Sequence, residues 1–154
     1  MSNKILTLLI PIFALIGAFS SAQAFADSKP IRQTITPTQY GFSHANAVIE
    51  SSPMLYVSGQ VGASKTGSND FYSQVDRSFD SLQAVLKKSG ADFKDVVKIT
   101  LLITDYDPDK LAYMVKKRKA IFGDSPPAST LIPVTRLYTD GVMFEIDAIA
   151  ILRK

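Results

Sequence analysis

Three observations predict an α+β domain with two helices on one face of a mixed sheet. Short β-branched runs gather at both ends of the chain, two segments between them switch to a three-to-four-residue apolar period, and turn residues separate the elements. The predicted order is β-β-β-α-β-α-β-β.

The domain is read from residue 27, because residues 1–26 have the pattern of a secretory signal peptide. Met1 to Lys4 is a short basic start, and Ile5 to Phe19 carries no charge and is interrupted only by Thr7, Pro11 and Gly17. Ser20 to Ala26 then offers two overlapping Ala-x-Ala cleavage points, after Ala24 or after Ala26. The apolar core of roughly 15 residues is short of the ~20 that a membrane-crossing helix needs, and no basic stop-transfer cluster follows it. A periplasmic or secreted protein without a stable membrane anchor is expected, with residues 27–154 forming one domain.

Within the domain, Asp27 to Thr38 is polar, contains two prolines, and reads as a loose leader into a first strand. Ala45 to Glu50 and Met54 to Ser58 flank Ser51-Ser52-Pro53, which reads as a hairpin. Ala63 to Asn69 is a polar loop. From Phe71 to Ser89 the apolar residues Phe71, Val75, Phe79, Leu82, Val85 and Leu86 form one helical stripe, which Asn69 or Asp70 can cap and Gly90 can end. Val96 to Ile103 is apolar almost throughout and reads as a buried strand. Asp107-Pro108 starts a second helix traced by Leu111, Met114 or Val115, Arg118 and Ile121-Phe122, and Gly123 ends it. Two last strands, Ala128 to Leu137 and Val142 to Leu152, flank a Thr139-Asp140-Gly141 turn. Helices on one side leave the other side of an apolar sheet uncovered, a patch larger than monomers usually expose, so self-association is expected.

Composition excludes several functions. The chain holds 17 Lys+Arg against 14 Asp+Glu, for a formal net charge of +3 of which Lys4 supplies one, and such a mild excess is no footprint for nucleic acid. With no cysteine and a single histidine, His44, thiol chemistry and a disulfide framework are excluded and no metal set is expected.

Three stretches in register resemble the Rid (YjgF) family, known for reactive imine and enamine deaminases. They are LYVSGQVG (Leu55 to Gly62), the helix containing Gln74 with LKKSGADFKDVVKITLLITD (Leu86 to Asp105), and FGDSPPAST (Phe122 to Thr130) leading into FEIDAIA (Phe144 to Ala150). The resemblance covers nearly the whole domain. It implies a chorismate-mutase-like fold and a homotrimer whose sheets form an inner barrel. A small-molecule cleft between each pair of subunits is also implied, and no cofactor.

The same resemblance supplies the candidate site. In the family's deaminases an arginine directly after the Pro-Ala pair grips the substrate carboxylate; here that position is Ser129. A charge-assisted grip is worth roughly 1.5–3 kcal/mol, and a hydroxyl recovers only part of it. Arg136 is no substitute on an extended strand, where Ser129, Leu131, Pro133 and Thr135 share one face and Arg136 falls on the other. The cleft tyrosine falls at Phe42 and the helix asparagine at Val115. Ser58, Gly59 and Glu145 keep the family's residues, so Glu145 is the candidate catalytic group and Phe42, Ser58, Gly59, Val115, Ser129 and Leu131 the ligand-binding ones.

Other features have plain readings beside functional ones. Gly59 can simply serve a strand end that needs backbone freedom. Glu145 and Asp147 share a strand face, as an acid/base pair or as polar rim residues. His44 is a possible proton shuttle or a surface residue, and Lys116 to Lys119 reads as a solvated helix end. The function expected is an exported Rid-like protein with a small-molecule cleft, removed from the standard 2-imino acid deaminase reaction. The alternatives are an imine or enamine hydrolase with an altered substrate, and a holdase-type chaperone or interaction protein. Export argues against the RNA cleavage also ascribed to the family.

Overall fold

The computed structural model describes residues 32–48 and 52–152, and the expected signal peptide at 1–26 lies outside the described residues. The elements are β1 (Arg32–Pro37), β2 (Ser43–Val48), β3 (Met54–Val61), α1 (Phe71–Lys88), β4 (Val96–Thr104), α2 (Pro108–Phe122), β5 (Ala128–Val134) and β6 (Phe144–Ile151), with a 3-10 turn, Phe93–Asp95, before β4. The order matches the β-β-β-α-β-α-β-β expectation. One six-stranded mixed sheet runs β1-β2-β5-β4-β6-β3, in which β4 is parallel to β5 and antiparallel to β6.

Both helices begin where the sequence places a cap. The Asp70 carboxylate accepts from the Ser73 backbone N–H at 3.0 Å, and Asp107 accepts from that of Lys110 at 2.8 Å with Pro108 in the first turn. Each satisfies a donor that the first helical turn leaves without a partner. The α1 stripe of Phe71, Val75, Phe79, Leu82 and Leu86 is buried against Ile99, Leu101, Phe144 and Ile146 of the sheet.

The hairpin expectation is overturned. Ser51 lies outside the described residues, but β2 and β3 do not pair: β2 pairs with β1 and β5, and β3 pairs with β6 at the far edge. Likewise β5 and β6 are separated by β4. Turn residues tell where a chain reverses, and long-range apolar pairing decides which strands become neighbours. The most apolar strand, β4, takes both β5 and β6 and becomes central. The first strand falls inside the polar leader, and β3 runs on past Ser58 through an irregularity between Val57 and Gln60.

The β1–β2 hairpin meets β5 at the pair Ser43↔Ala128. Side chains complete the attachment: Ser43 Oγ donates to Pro126 O at 2.9 Å, Asn46 Nδ2 to Val97 O at 3.2 Å, and Arg32 to the carbonyls of Val96 and Ser125. The turn of this hairpin is thereby held over α2. Gly41 sits there with φ +73°, where a Cβ would lie 3.1 Å from Arg118 Cβ. Both the left-handed backbone and the close helix call for glycine.

Candidate functional site

Alternation along the strands sorts the candidate residues onto two faces. Ile99, Leu101 and Ile103 of β4 are buried towards the helices, and their β5 partners Ser129, Leu131 and Pro133 share that face. Lys98, Thr100 and Leu102 face the other way, with Glu145, Asp147 and Ile149 of β6 beside them.

On the helix face, Phe42, Val115, Ser129 and Leu131 come together around one cavity of about 460 Å³, joined by Tyr40, Leu111 and Arg118. The β1–β2 turn contributes the aromatic rings, α2 the aliphatic wall, and β5 the floor. Four of the six expected ligand-binding residues thus share one space.

Ser58, Gly59 and Glu145 lie apart from it. Ser58 and Gly59 border a concavity of about 490 Å³ on the uncovered face, with Tyr56, Lys98, Thr100 and Asp147. The Glu145 carboxylate rests against Gly59, where a Cβ would fall 1.8 Å from Glu145 Oε1. Gly59 is therefore explained by the space its neighbour needs, and not by a left-handed backbone. Asp147 Oδ1 accepts from the Thr100 backbone N–H at 3.2 Å. Lys98 donates to Ile99 O and to Thr130 Oγ1, and partial burial lowers its pKa from 10.5 while the Asp147 charge opposes the shift. Within one chain, Glu145 and Ser129 stand on opposite sides of the sheet.

Arg118 corrects the reading of the basic run. Lys116 and Lys119 are exposed and Lys117 pairs with Asp76 at 2.9 Å, but Arg118 is only 3% exposed. Its Nη1 donates to Ser129 Oγ at 3.2 Å and its Nη2 to Tyr40 O at 3.1 Å, while Nε has no partner. The Phe42 ring centroid lies 5.9 Å from Cζ. Burial pulls its pKa down to about 10, which leaves the guanidinium charged at neutral pH. The signal was present in the sequence, since a basic residue occupied a position on the apolar stripe of α2. Arg136, by contrast, lies beyond β5 and pairs with Asp140 at 3.2 Å on the surface. His44 is exposed, edge-on to the Phe42 ring at 5.9 Å.

The strand order, the two helices on one face and the parallel β4–β5 pair define the class, a YjgF-like α+β domain. A solved Rid-family protein from Yersinia pestis superposes with a TM-score of 0.72 at 28% identity, covering 79% of this chain and 99% of that one. A solved structure of the protein YjgH gives a TM-score of 0.59 at 30% identity, covering 80% of this chain and 98% of that one. The chain belongs to the Rid/YjgF family, whose sequence pattern, described as Endoribonuclease L-PSP, matches residues 24–152. Among named relatives, the RutC family protein YjgH of Escherichia coli is 35% identical over 113 residues, 72% of this chain and 85% of that protein. Protein DfrA of Myxococcus xanthus is 31% identical over 127 residues, covering 80% and 95% of the two chains.

Proposed function

We propose that this chain is an exported Rid-family protein that assembles as a homotrimer and binds a small molecule with an apolar body, outside the standard 2-imino acid deaminase reaction. The observation that carries this reading is the lining of the helix-face cavity. Phe42, Leu111, Val115 and Leu131 offer apolar surface, and no carboxylate or histidine stands among the lining residues to move a proton. Glu145 is on the opposite face, so hydrolysis in this cavity needs a carboxylate brought by a second copy. The uncovered face supports assembly: Tyr56 keeps 74% of its surface exposed and Ile132 41%.

The test is ammonia release from several freshly generated 2-imino acids, with the sedimentation mass of the same preparation recorded. A mass of three chains and rates equal to buffer are expected. Release above buffer, abolished by Glu145→Gln, would replace this reading with the hydrolase alternative.

A further inference from the structure

We propose that Gln74, on the buried side of the sheet, positions the Glu145 carboxylate on the uncovered side by holding the ends of the two strands that carry it. Glu145 belongs to β6 and rests against Gly59 of β3, and the pair Val61↔Glu145 joins the two strands beside that contact. Gln74 lies on α1, is wholly buried, and lines neither concavity. Its side chain is spent on the segments that follow β3 and precede β6. Nε2 donates to Asn69 O at 3.0 Å and to Gly141 O at 2.7 Å. Oε1 accepts from the Met143 backbone N–H at 2.9 Å, two residues before Glu145. Met143 is fixed on its other side as well, because its carbonyl accepts from the Thr104 N–H at 3.1 Å. The entry of β6 into the sheet is therefore set by one amide from α1.

The backbone of the same residue holds β3. A Cβ on Gly62 would collide with the Gln74 carbonyl oxygen, and Gly62 has no left-handed φ, so close approach to α1 is what this glycine serves. Arg77, one turn further along α1, donates from Nε to Gly62 O at 2.6 Å. Gly59 meets Glu145 on one face of the strand and Gly62 meets Gln74 on the other. Each glycine is bare where a neighbour presses in. The end of β3 is gripped between the two residues, and a displacement of Gln74 is passed along both strands to the place where the carboxylate rests. Gln74 is thus a positioning residue, whether Glu145 meets a ligand or a neighbouring copy.

The test exploits the composition. The sequence contains only the glutamates Glu50 and Glu145 and one histidine, His44, so labelling with δ-13C glutamate reports on the carboxylate with little overlap. In the assembled protein, Gln74→Met should move the Glu145 δ-carbon and the Gly59 amide resonances. It should leave the His44 ring signals, near the opposite edge of the sheet, in place. The accompanying fall in Tm, roughly 5 °C or more from the unpaired Met143 N–H and Gly141 O, is what a structural role alone predicts. The glutamate signal is what such a role does not predict. Asn69→Ala removes the Oδ1 that Nε2 also reaches, at 3.2 Å, while the bonds to Gly141 and Met143 stay. It should move the same two resonances in the same direction by a smaller amount, and it decides the matter if Gln74→Met does not fold. A Glu145 δ-carbon that stays put in either folded variant would reduce Gln74 to a clasp between loops and overturn the proposal. Movement of the His44 signals together with it would mark a global change and overturn it equally.

Discussion

On the helix side of the sheet, Phe79, Phe144, Ile99 and Leu101 are shut away from solvent, whereas on the opposite side Tyr56, Ile132 and Met54 remain exposed beside Lys98, Asp147 and Thr100. Among the described residues, two helices cover one face and none covers the other. The covered face is closed within the chain, although Arg118, buried there, keeps its Nε–H without a partner among the described residues. The uncovered face mixes exposed apolar and charged groups, which is why we propose self-association across it. The candidate site is divided along the same line, with Phe42, Val115, Ser129 and Leu131 on the finished side and Ser58, Gly59 and Glu145 on the unfinished one.

The largest expected effect tests this asymmetry directly. Phe79→Ala should cost about 3–5 kcal/mol in urea unfolding, because it opens a cavity against Phe93 and Phe144. Ile132→Ala at concentrations that keep the chain monomeric should cost about 1 kcal/mol or less. Comparable losses would mean that the uncovered face is as finished as the other.

A smaller effect sharpens the account of the cavity. Ser129→Arg places a second guanidinium beside Arg118 and removes the hydroxyl that Nη1 uses. It should destabilise the fold by about 2 kcal/mol, read as a lowered Tm. A variant as stable as the parent would show that the cavity accommodates both charges.

The smallest effect concerns Lys98. Its folded-state pKa is lowered from 10.5, chiefly by desolvation, so between that lowered value and 10.5 the unfolded chain binds more protons than the folded one. Stability contributed by this group should therefore rise with pH through that window and be absent below it. Lys98→Met should flatten the alkaline rise in Tm and raise Tm slightly at neutral pH. If assembly covers this face, the flattening should be larger in the trimer than in the monomer.

Much of the local structure was readable from residue types, because its causes are local. Asp70 and Asp107 cap helices through their own backbone neighbours, Gly123 ends α2 with φ +53°, and the α1 stripe follows from spacing alone. Strand partners were not readable. The Thr139-Asp140-Gly141 turn lies between β5 and β6 in the chain, but strands distant in sequence supply the neighbours. The site was legible in part for the same reason. Ser129 and Leu131 share a face by strand alternation, and Val115 faces them because of helical period. Arg118 fell on the apolar stripe of α2 and also in a basic run whose other members are half-buried or exposed, and its depth was decided by what packs against it.

By itself, then, the sequence determined the element order and the helix caps. Only the tertiary structure decided that β4 is central, that Glu145 and Ser129 stand on opposite faces, and that a cation from α2 meets the serine from β5. Caps and periods are set by interactions within one or two turns of the chain. The meeting of Arg118, Ser129 and Tyr40 joins three elements through burial, which no single stretch of sequence encodes.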